Sequence, residues 1–308
     1  MRFRRHFAVA ATALLPYTVA VVLWGAYVRA SLSGDGCGDH WPLCNGVALP
    51  VAPSTKTIIE LTHRVTSGLA WIGTLAMWLG ACGLFARGHA TRAAAGWSFF
   101  FMTTEALVGA GLVLFRMVAD NPSSARAAWM SAHLINTFLL LGALTWLTLS
   151  AWRDGGVRWP RDTRSRRLFG GAAALLLLAG VSGAVAALGD TLFPAESLAE
   201  ALREDLSPSS HIFLRLRLWH PVIAILGSGY LIWLVSLFLR ADRSNRSAGL
   251  WLGALSLIQI AVGFVNVALL APVWLQLIHL FIADAIWITL VTLALSSQLS
   301  ISSANLTS

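Results

Sequence analysis

Charge is what this chain has least of. Only 12% of its 308 residues are Asp, Glu, Lys or Arg, while 57% are hydrophobic. Soluble domains carry about 25% charged residues, so a water-soluble globular fold is excluded. The mean hydropathy of +0.70 agrees. Segments of alternating polarity divided by turn signals, the signature of a membrane β-barrel, are missing too. The chain has three cysteines. No His-x3-His pair and no cysteine cluster falls within an apolar run, which disfavours a tetrahedral zinc site.

Apolar sequence in helix-length blocks takes the place of these features. A membrane-crossing helix needs about 20 apolar residues. Eight such blocks occur, at about 7–28, 65–86, 96–115, 129–152, 168–189, 213–239, 248–271 and 273–297. The predicted fold class is an all-α polytopic membrane protein. The last two blocks are parted only by a turn at Ala271-Pro272. The first follows Arg4-Arg5 and mimics a signal peptide, but its apolar run exceeds the roughly 7–15 residues of such a signal. It is expected to stay as a helix.

The net charge of +8 invites a nucleic-acid partner, and its distribution rejects one. Arg2, Arg4, Arg5, Arg87, Arg92, Arg153, Arg158, Arg161, Arg164, Arg166, Arg167, Arg240, Arg243 and Arg246 fall on one side of the eight spans. Asp35, Asp39, Asp190, Glu196, Glu200, Glu204 and Asp205 fall on the other. By the positive-inside rule both termini are cytoplasmic. The lipid bilayer, not nucleic acid, is the partner these charges address.

Two halves of the chain repeat. His63 opens the second block and His220 the sixth; His133 enters the fourth and His279 the eighth. Glu105-Ala106-Leu107-Val108-Gly109 resembles Gln259-Ile260-Ala261-Val262-Gly263, and Gly25-Ala26-Tyr27-Val28 resembles Gly183-Ala184-Val185-Ala186. Each half has four spans, so the halves share one orientation, as parallel repeats do. Two pseudosymmetric four-helix bundles are expected, at residues 1–155 and 156–308. His63 and His220 are read at or near their helix ends, and His133 and His279 roughly 6–9 Å below theirs.

An ionisable side chain inside a membrane helix is costly and reads as functional by default. Haem iron takes two axial imidazoles, and a four-helix bundle provides a slot for the macrocycle. His63 with His133, and His220 with His279, are thus candidate ligand pairs. The alternative is hydrogen bonding across helices. In Glu60-Leu61-Thr62-His63-Arg64, Glu60 lies three residues before His63 and shares its helix face. There a carboxylate can move protons or steady positive charge, or merely cap a helix dipole. Arg217 stands at the matching place in the second half, so the halves differ: one reactive site, one carrier site. Arg64 and Arg217, and less so Arg215, suit carboxylate groups such as haem propionates, or ordinary interfacial anchoring. Cys37 and Cys44 sit in a Gly-rich outer loop where a disulfide is expected, as a loop staple or a redox pair. Glu105, Asp284, Asn136 and Gln259 are intramembrane and each needs a partner.

Together, Glu60-Leu61-Thr62-His63-Arg64, Cys37…Trp41-Pro42-Leu43-Cys44-Asn45-Gly46, His133-Leu134-Ile135-Asn136-Thr137, Leu218-Trp219-His220-Pro221 and His279 resemble the haem A synthase family of cytochrome-oxidase assembly, in its cysteine-bearing bacterial form. The resemblance implies that His220 and His279 ligate a haem b cofactor and that His63 and His133 flank the substrate, haem O. Glu60 is then the catalytic carboxylate, and the C8 methyl group becomes a formyl by way of a hydroxylated intermediate. It further implies a bacterial inner-membrane location, an upstream haem O synthase that farnesylates haem, and a downstream haem-copper oxidase or its assembly factors. An electron donor of unknown identity is required, and a homo-oligomer is compatible. Two rival classes explain less. A two-haem electron carrier gives Glu60 no task. A repeat-built transporter usually breaks its helices at mid-membrane, and these blocks are mostly continuous.

Overall fold

A computed structural model gives the fold and describes residues 2–160, 162–241 and 246–296. Among the described residues there are ten helices and no β-strand. They are α1 (Arg2–Ala30), α2 (Thr55–Leu84), α3 (Ala90–Leu114), α4 (Ser124–Ala151), α5 (Thr163–Leu192), α6 (Leu198–Leu206), α7 (Ile212–Arg217), α8 (Trp219–Ala241), α9 (Arg246–Ala268) and α10 (Val273–Ser296). Eight spans are long and apolar enough to cross a membrane, the sixth, Ile212–Leu239, being built from α7 and α8. The protein is a multi-pass, all-α membrane protein, as its composition requires. Of the basic residues assigned to one side, Arg161 and Arg243 lie outside the described residues, as do the side chain of Arg240 and residue 297.

Helix starts correct the sequence reading. α2 begins at Thr55, ten residues before the apolar block, and α4 begins at Ser124, five before it. The reason is capping. The Ser54 and Ser123 side chains accept from the backbone N–H groups of Thr57 and Arg126, meeting donors that a helix start otherwise leaves unpaired. A polar capped turn is invisible to hydropathy. His63 is therefore not at a helix end, and neither is His220 within its span. Counted from Thr55, Ser124, Ile212 and Val273, the four histidines lie about 9–14 Å along their helices, at more nearly equal depth than the block starts implied.

Turns explain the other ends. α1, α3 and α9 each close on a residue with positive φ: Leu32 (52°), Arg116 (55°), and Leu270 and Ala271 (58° and 53°). In each, the following N–H reaches back five residues: Ser33 to Val28, Met117 to Leu112, Ala271 to Asn266. This is the left-handed helix stop, and in the last case it makes the expected turn at Ala271-Pro272. Between α7 and α8, Pro221 has no N–H for the Arg217 carbonyl, so the helix breaks at Leu218.

α1 packs on α2 and α4, and α3 packs on the same two; α5 packs on α8 and α10, and α9 packs on the same two. Helices in lipid associate by close packing rather than by escape from water. The first core accordingly uses small residues, Ala8, Ala11, Ala70, Ala81, Ala94 and Ala95, beside Phe7, Leu140, Leu144 and Leu147. The second gathers Phe169, Leu231, Leu234, Phe238, Leu252, Ile282, Ile286 and Leu290. A third cluster joins α1, α4 and α10 through Val19, Phe138, Leu141, Trp287 and Val291. Phe138 and Trp287 meet with ring centroids 5.2 Å apart. In the most apolar stretch of α4, 61% is buried, and in α10 44%, against 17–33% in the other spans. These two helices form the central seam; the rest turn exposed apolar side chains such as Leu69, Ile72, Leu107, Leu226 and Phe264 outward.

Candidate functional site

Each of the four histidines lies on a glycine of the neighbouring helix. A methyl group built on Gly25 in α1 would stand 2.8 Å from Cε1 of His63 in α2. The same construction on Gly109 in α3 gives 3.6 Å to His133 in α4. Gly183 in α5 gives 2.9 Å to His220 in α8, and Gly263 in α9 gives 3.2 Å to His279 in α10. These glycines are the repeat-matched positions found in the sequence. Their matching was legible there; that each receives an imidazole was not, because the receiving histidine lies on another helix.

In the second half the His220 and His279 rings stand 6.2 Å apart at 85°. One metal atom with nitrogen bonds of about 2 Å fits between rings at this spacing. The Ser182 hydroxyl donates to the Ala179 carbonyl at 2.9 Å and lies 3.1 Å from His220 Nδ1. With its one proton used, Ser182 accepts from Nδ1–H, which leaves Nε2 with a free lone pair. A ligating histidine is usually fixed in this way through its other nitrogen. The Gln259 amide is 3.2 Å from His279 Nε2. His279 Nδ1 and Gln259 Oε1 are buried without hydrogen-bond partners.

In the first half His63 Nδ1 is likewise buried and unpartnered. His133 Nδ1 is 3.3 Å from Glu105 Oε1, without hydrogen-bond geometry. Glu105 accepts from Asn136 at 2.5 Å and from the Thr137 hydroxyl, which supplies its expected partners. Gln259 and Glu105, aligned in the sequence, thus both stand beside the histidine of the following span. Asp284 differs. It is 1% exposed and neither carboxylate oxygen has a hydrogen-bond partner.

Glu60 is 3% exposed and held on both oxygens. Oε2 accepts from the Cys37 backbone N–H at 2.7 Å; Oε1 accepts from Arg64 Nε at 3.1 Å and Nη2 at 2.5 Å. Arg64 Nη1 donates to the carbonyls of His40 and Leu43, both at 2.6 Å. Cys37 and Cys44 are disulfide-bonded and fully buried. The disulfide loop, Arg64 and Glu60 therefore form one unit over the N-terminal part of α2. Gly36 packs against the Lys56 backbone, where an added methyl would stand 2.4 Å away, and Thr57 donates to its carbonyl at 2.7 Å. The sequence placed Arg64 toward carboxylates. The structure supplies one from the same helix, one turn away.

Arg217, matched by sequence to Glu60, is also paired. Asp205 accepts from its Nε and Nη2, and Asp190 from Nη1. The acidic stretch 190–210, unassigned from sequence, contributes both acids, with α6 carrying Asp205. Sequence reasoning missed Arg29. From α1 it donates to the Ala187 carbonyl and the Thr191 hydroxyl of α5 and to Gln276 of α10, each at 2.8 Å, tying α1 to α5 and α10. It missed two caps as well. His89 and His211 cap α3 and α7.

No group of three or more His, Cys, Asp or Glu converges on a metal position among the described residues. The candidate ligands come in twos.

Residues 8–291 match the family described as cytochrome oxidase assembly protein. The chain is 48% identical over 291 residues to a protein of Thermus thermophilus named protoheme IX farnesyltransferase; the match covers 92% of this chain and 47% of that protein. It is 34% identical over 139 residues to a heme A synthase of Halalkalibacterium halodurans, 44% of this chain and 43% of that one. It is 41% identical over 97 residues to a heme A synthase of Bacillus mycoides, 32% and 31%. The chain spans about half the length of the first of these relatives.

Proposed function

The chain belongs to the cytochrome oxidase assembly protein family, and from that premise we propose that it is a haem A synthase, oxidising the C8 methyl group of haem O to a formyl through a hydroxylated intermediate. One observation carries the reading. Four histidines sit at like depth, each on a glycine, and in only one half does a buried carboxylate, Glu60, stand three residues before the first histidine.

The second half, residues 156–308, fits a resident haem b. Its donor set is two facing imidazoles, the usual axial pair of haem iron. Ser182 frees His220 Nε2 for ligation, and His279 keeps a buried nitrogen without a partner. When bound, haem b supplies an iron that takes up and passes on single electrons. His220 and His279 would hold it.

The first half, residues 1–155, takes haem O as substrate. His63 and His133 flank it. Glu60 is the catalytic carboxylate, and its two donors, the Cys37 N–H and Arg64, stop it from rotating away. Such a carboxylate accepts a proton or steadies positive charge that develops at the reacting carbon. The disulfide loop closes over this end of α2 and limits water there. Propionate contact falls to Arg64 in this half, through its one N–H not already engaged, and to Arg217 in the other.

The location proposed is the bacterial inner membrane, with both termini cytoplasmic and both histidine pairs toward the outer face; the one-sided arginines support it. The upstream partner is a haem O synthase. A relative named for protohaem IX farnesyl transfer, and matched over only half its length, supports that pairing. The downstream partner is a haem-copper oxidase or its assembly factors.

The test is haem extraction with mass analysis after expression in a host that makes haem O but no haem A, with and without Glu60→Ala. Haem A or its hydroxylated precursor is expected with the wild-type chain alone. Unmodified haem O with both chains, when an electron donor is supplied, overturns the proposal.

A further inference from the structure

The four glycines under the histidines are not equally tight, and the pattern of tightness is informative. Gly25 and Gly183, on the first span of each half, leave 2.8 and 2.9 Å to the His63 and His220 rings. Gly263 leaves 3.2 Å to His279, and Gly109 leaves 3.6 Å to His133. Real methyl carbons do not come within 3.0 Å of a neighbour, whereas 3.6 Å is ordinary contact. The first two positions therefore admit no side chain while the ring stays in place. The fourth admits one freely.

The geometry points to Gly25 and Gly183 as positioning residues that set the orientation of His63 and His220 toward the haem each is proposed to hold, with Gly263 a weaker one and Gly109 none. This rests on the haem reading above. It goes further in assigning the aim of two imidazoles to the absence of a side chain on the facing helix.

The physical reasoning runs through rotamers. Packed interiors resist even one added methylene, and the neighbours answer by leaving their rotamers or shifting backbone. At Gly183 the neighbour is the imidazole itself, met at Cε1 and Nδ1. The His220 ring is also held by Ser182, from the residue before Gly183. One helix turn thus supplies a hydroxyl that orients the ring and a gap that receives it. A methyl in the gap turns the ring away from that hydroxyl. At Gly25 the methyl meets Cε1 and Nε2 of His63, whose Nδ1 has no hydrogen bond to hold it. Packing is then what aims the ring.

The experiment uses the full chain purified from membranes, with alanine at each of the four positions and Gly170→Ala as a control. Gly170 lies on the same helix as Gly183 and has nothing within 4 Å of an added methyl. Haem b content and its low-spin absorption spectrum report on the second half. Haem O co-purified from a host that makes it reports on the first. Gly183→Ala is expected to lose haem b at least about tenfold, the scale of a lost orienting contact behind a metal ligand. Gly263→Ala should lose less, and Gly170→Ala none. Gly25→Ala should lose haem O, and Gly109→Ala should keep it.

A second arm needs no haem. The thermal stabilities of Gly183→Ala, His220→Ala and the double variant form a cycle that isolates methyl–ring coupling. The double variant should melt, and accumulate in membranes, like His220→Ala alone, because the ring that the methyl meets is gone. A Gly183→Ala chain with wild-type haem content and spectrum overturns the inference. So does a Gly183→Ala defect that persists undiminished on the His220→Ala background, or haem O loss from Gly109→Ala but not from Gly25→Ala. A wild-type chain that purifies without haem strikes the functional reading instead, and the stability cycle tells the two failures apart.

Discussion

The two halves hold the same histidine-on-glycine contact beside different carboxylate–arginine pairings. In the first half an acid, Glu60, is buried on the histidine-bearing helix, gripped by Arg64 one turn later and by the N–H of Cys37. In the second half a base, Arg217, holds the matching place, gripped by Asp190 and Asp205. One half pairs one carboxylate with one arginine on the histidine-bearing helix; the other pairs one arginine with two carboxylates from the segment before it. The repeat keeps its histidine-on-glycine frame and changes the residue three before the first histidine from an acid to a base, and under the proposed function that change separates the reacting copy from the resident one.

The largest expected effect breaks the comparison at Glu60. Glu60→Gln keeps the shape and removes the charge. Haem A formation should fall at least about a hundredfold, the range of a lost acid–base group, while total haem per chain is unchanged. Haem extraction checks both. Next, His220→Met or His279→Met should perturb the low-spin spectrum of haem b and leave haem O bound in the first half; an unaltered spectrum means that the halves are assigned the wrong way round.

Arg217→Ala comes third. It strands two acids, Asp190 and Asp205, that are 19% and 8% exposed. Breaking a buried pair from one side costs about 3 kcal/mol or somewhat more, to be read as lower thermal stability in detergent. Glu60→Gln also strands a buried partner, Arg64, but it leaves one uncompensated charge rather than two and keeps an amide oxygen that can accept from the Cys37 N–H, so it should melt between wild type and Arg217→Ala. Cys37→Ser with Cys44→Ser should cost about 2 kcal/mol, the chain-entropy value for so short a loop. It should also slow formyl formation, because the loop that holds Glu60 Oε2 slackens; an unchanged rate would reduce the disulfide to a staple.

The smallest effect concerns Asp39 and Arg116, an exposed pair at 2.6 Å beside the disulfide loop. The Arg116 hydrogen bond holds the Asp39 carboxyl below its usual value. Whatever stability that shift gives is present above the ordinary aspartate range and is lost only as pH falls through the lowered value. Asp39→Asn should therefore lower the melting temperature slightly and by the same amount at pH 6 and pH 8, because the contribution it removes is constant across that window.

How much could be read beforehand depends on how local the cause is. The eight spans were legible because lipid demands long apolar runs. The four histidines and the glycine repeats were legible because both halves spell them alike. Helix starts were not: Ser54 and Ser123 set them by single hydrogen bonds that hydropathy averages away. The caps by His89 and His211 were missed for the same reason. Arg64 lies one helical turn from Glu60, but the other partners were out of reach, because they lie 23 residues away at Cys37 and 27 residues away at Asp190, beyond any helical period. Arg29 was hidden more deeply still, its acceptors standing 158 to 247 residues along the chain.

Composition and spacing were enough to read eight helices long and apolar enough to cross a membrane and a repeat of four histidines and four glycines, since burial in lipid and repetition act through the chain alone. Only the tertiary structure decided which glycine receives which histidine, that Glu60 is locked to a disulfide loop, and that Arg217 is spent on acids. Those outcomes hang on distances of about 3 Å between residues far apart in the chain, and such contacts exist only after the helices have packed.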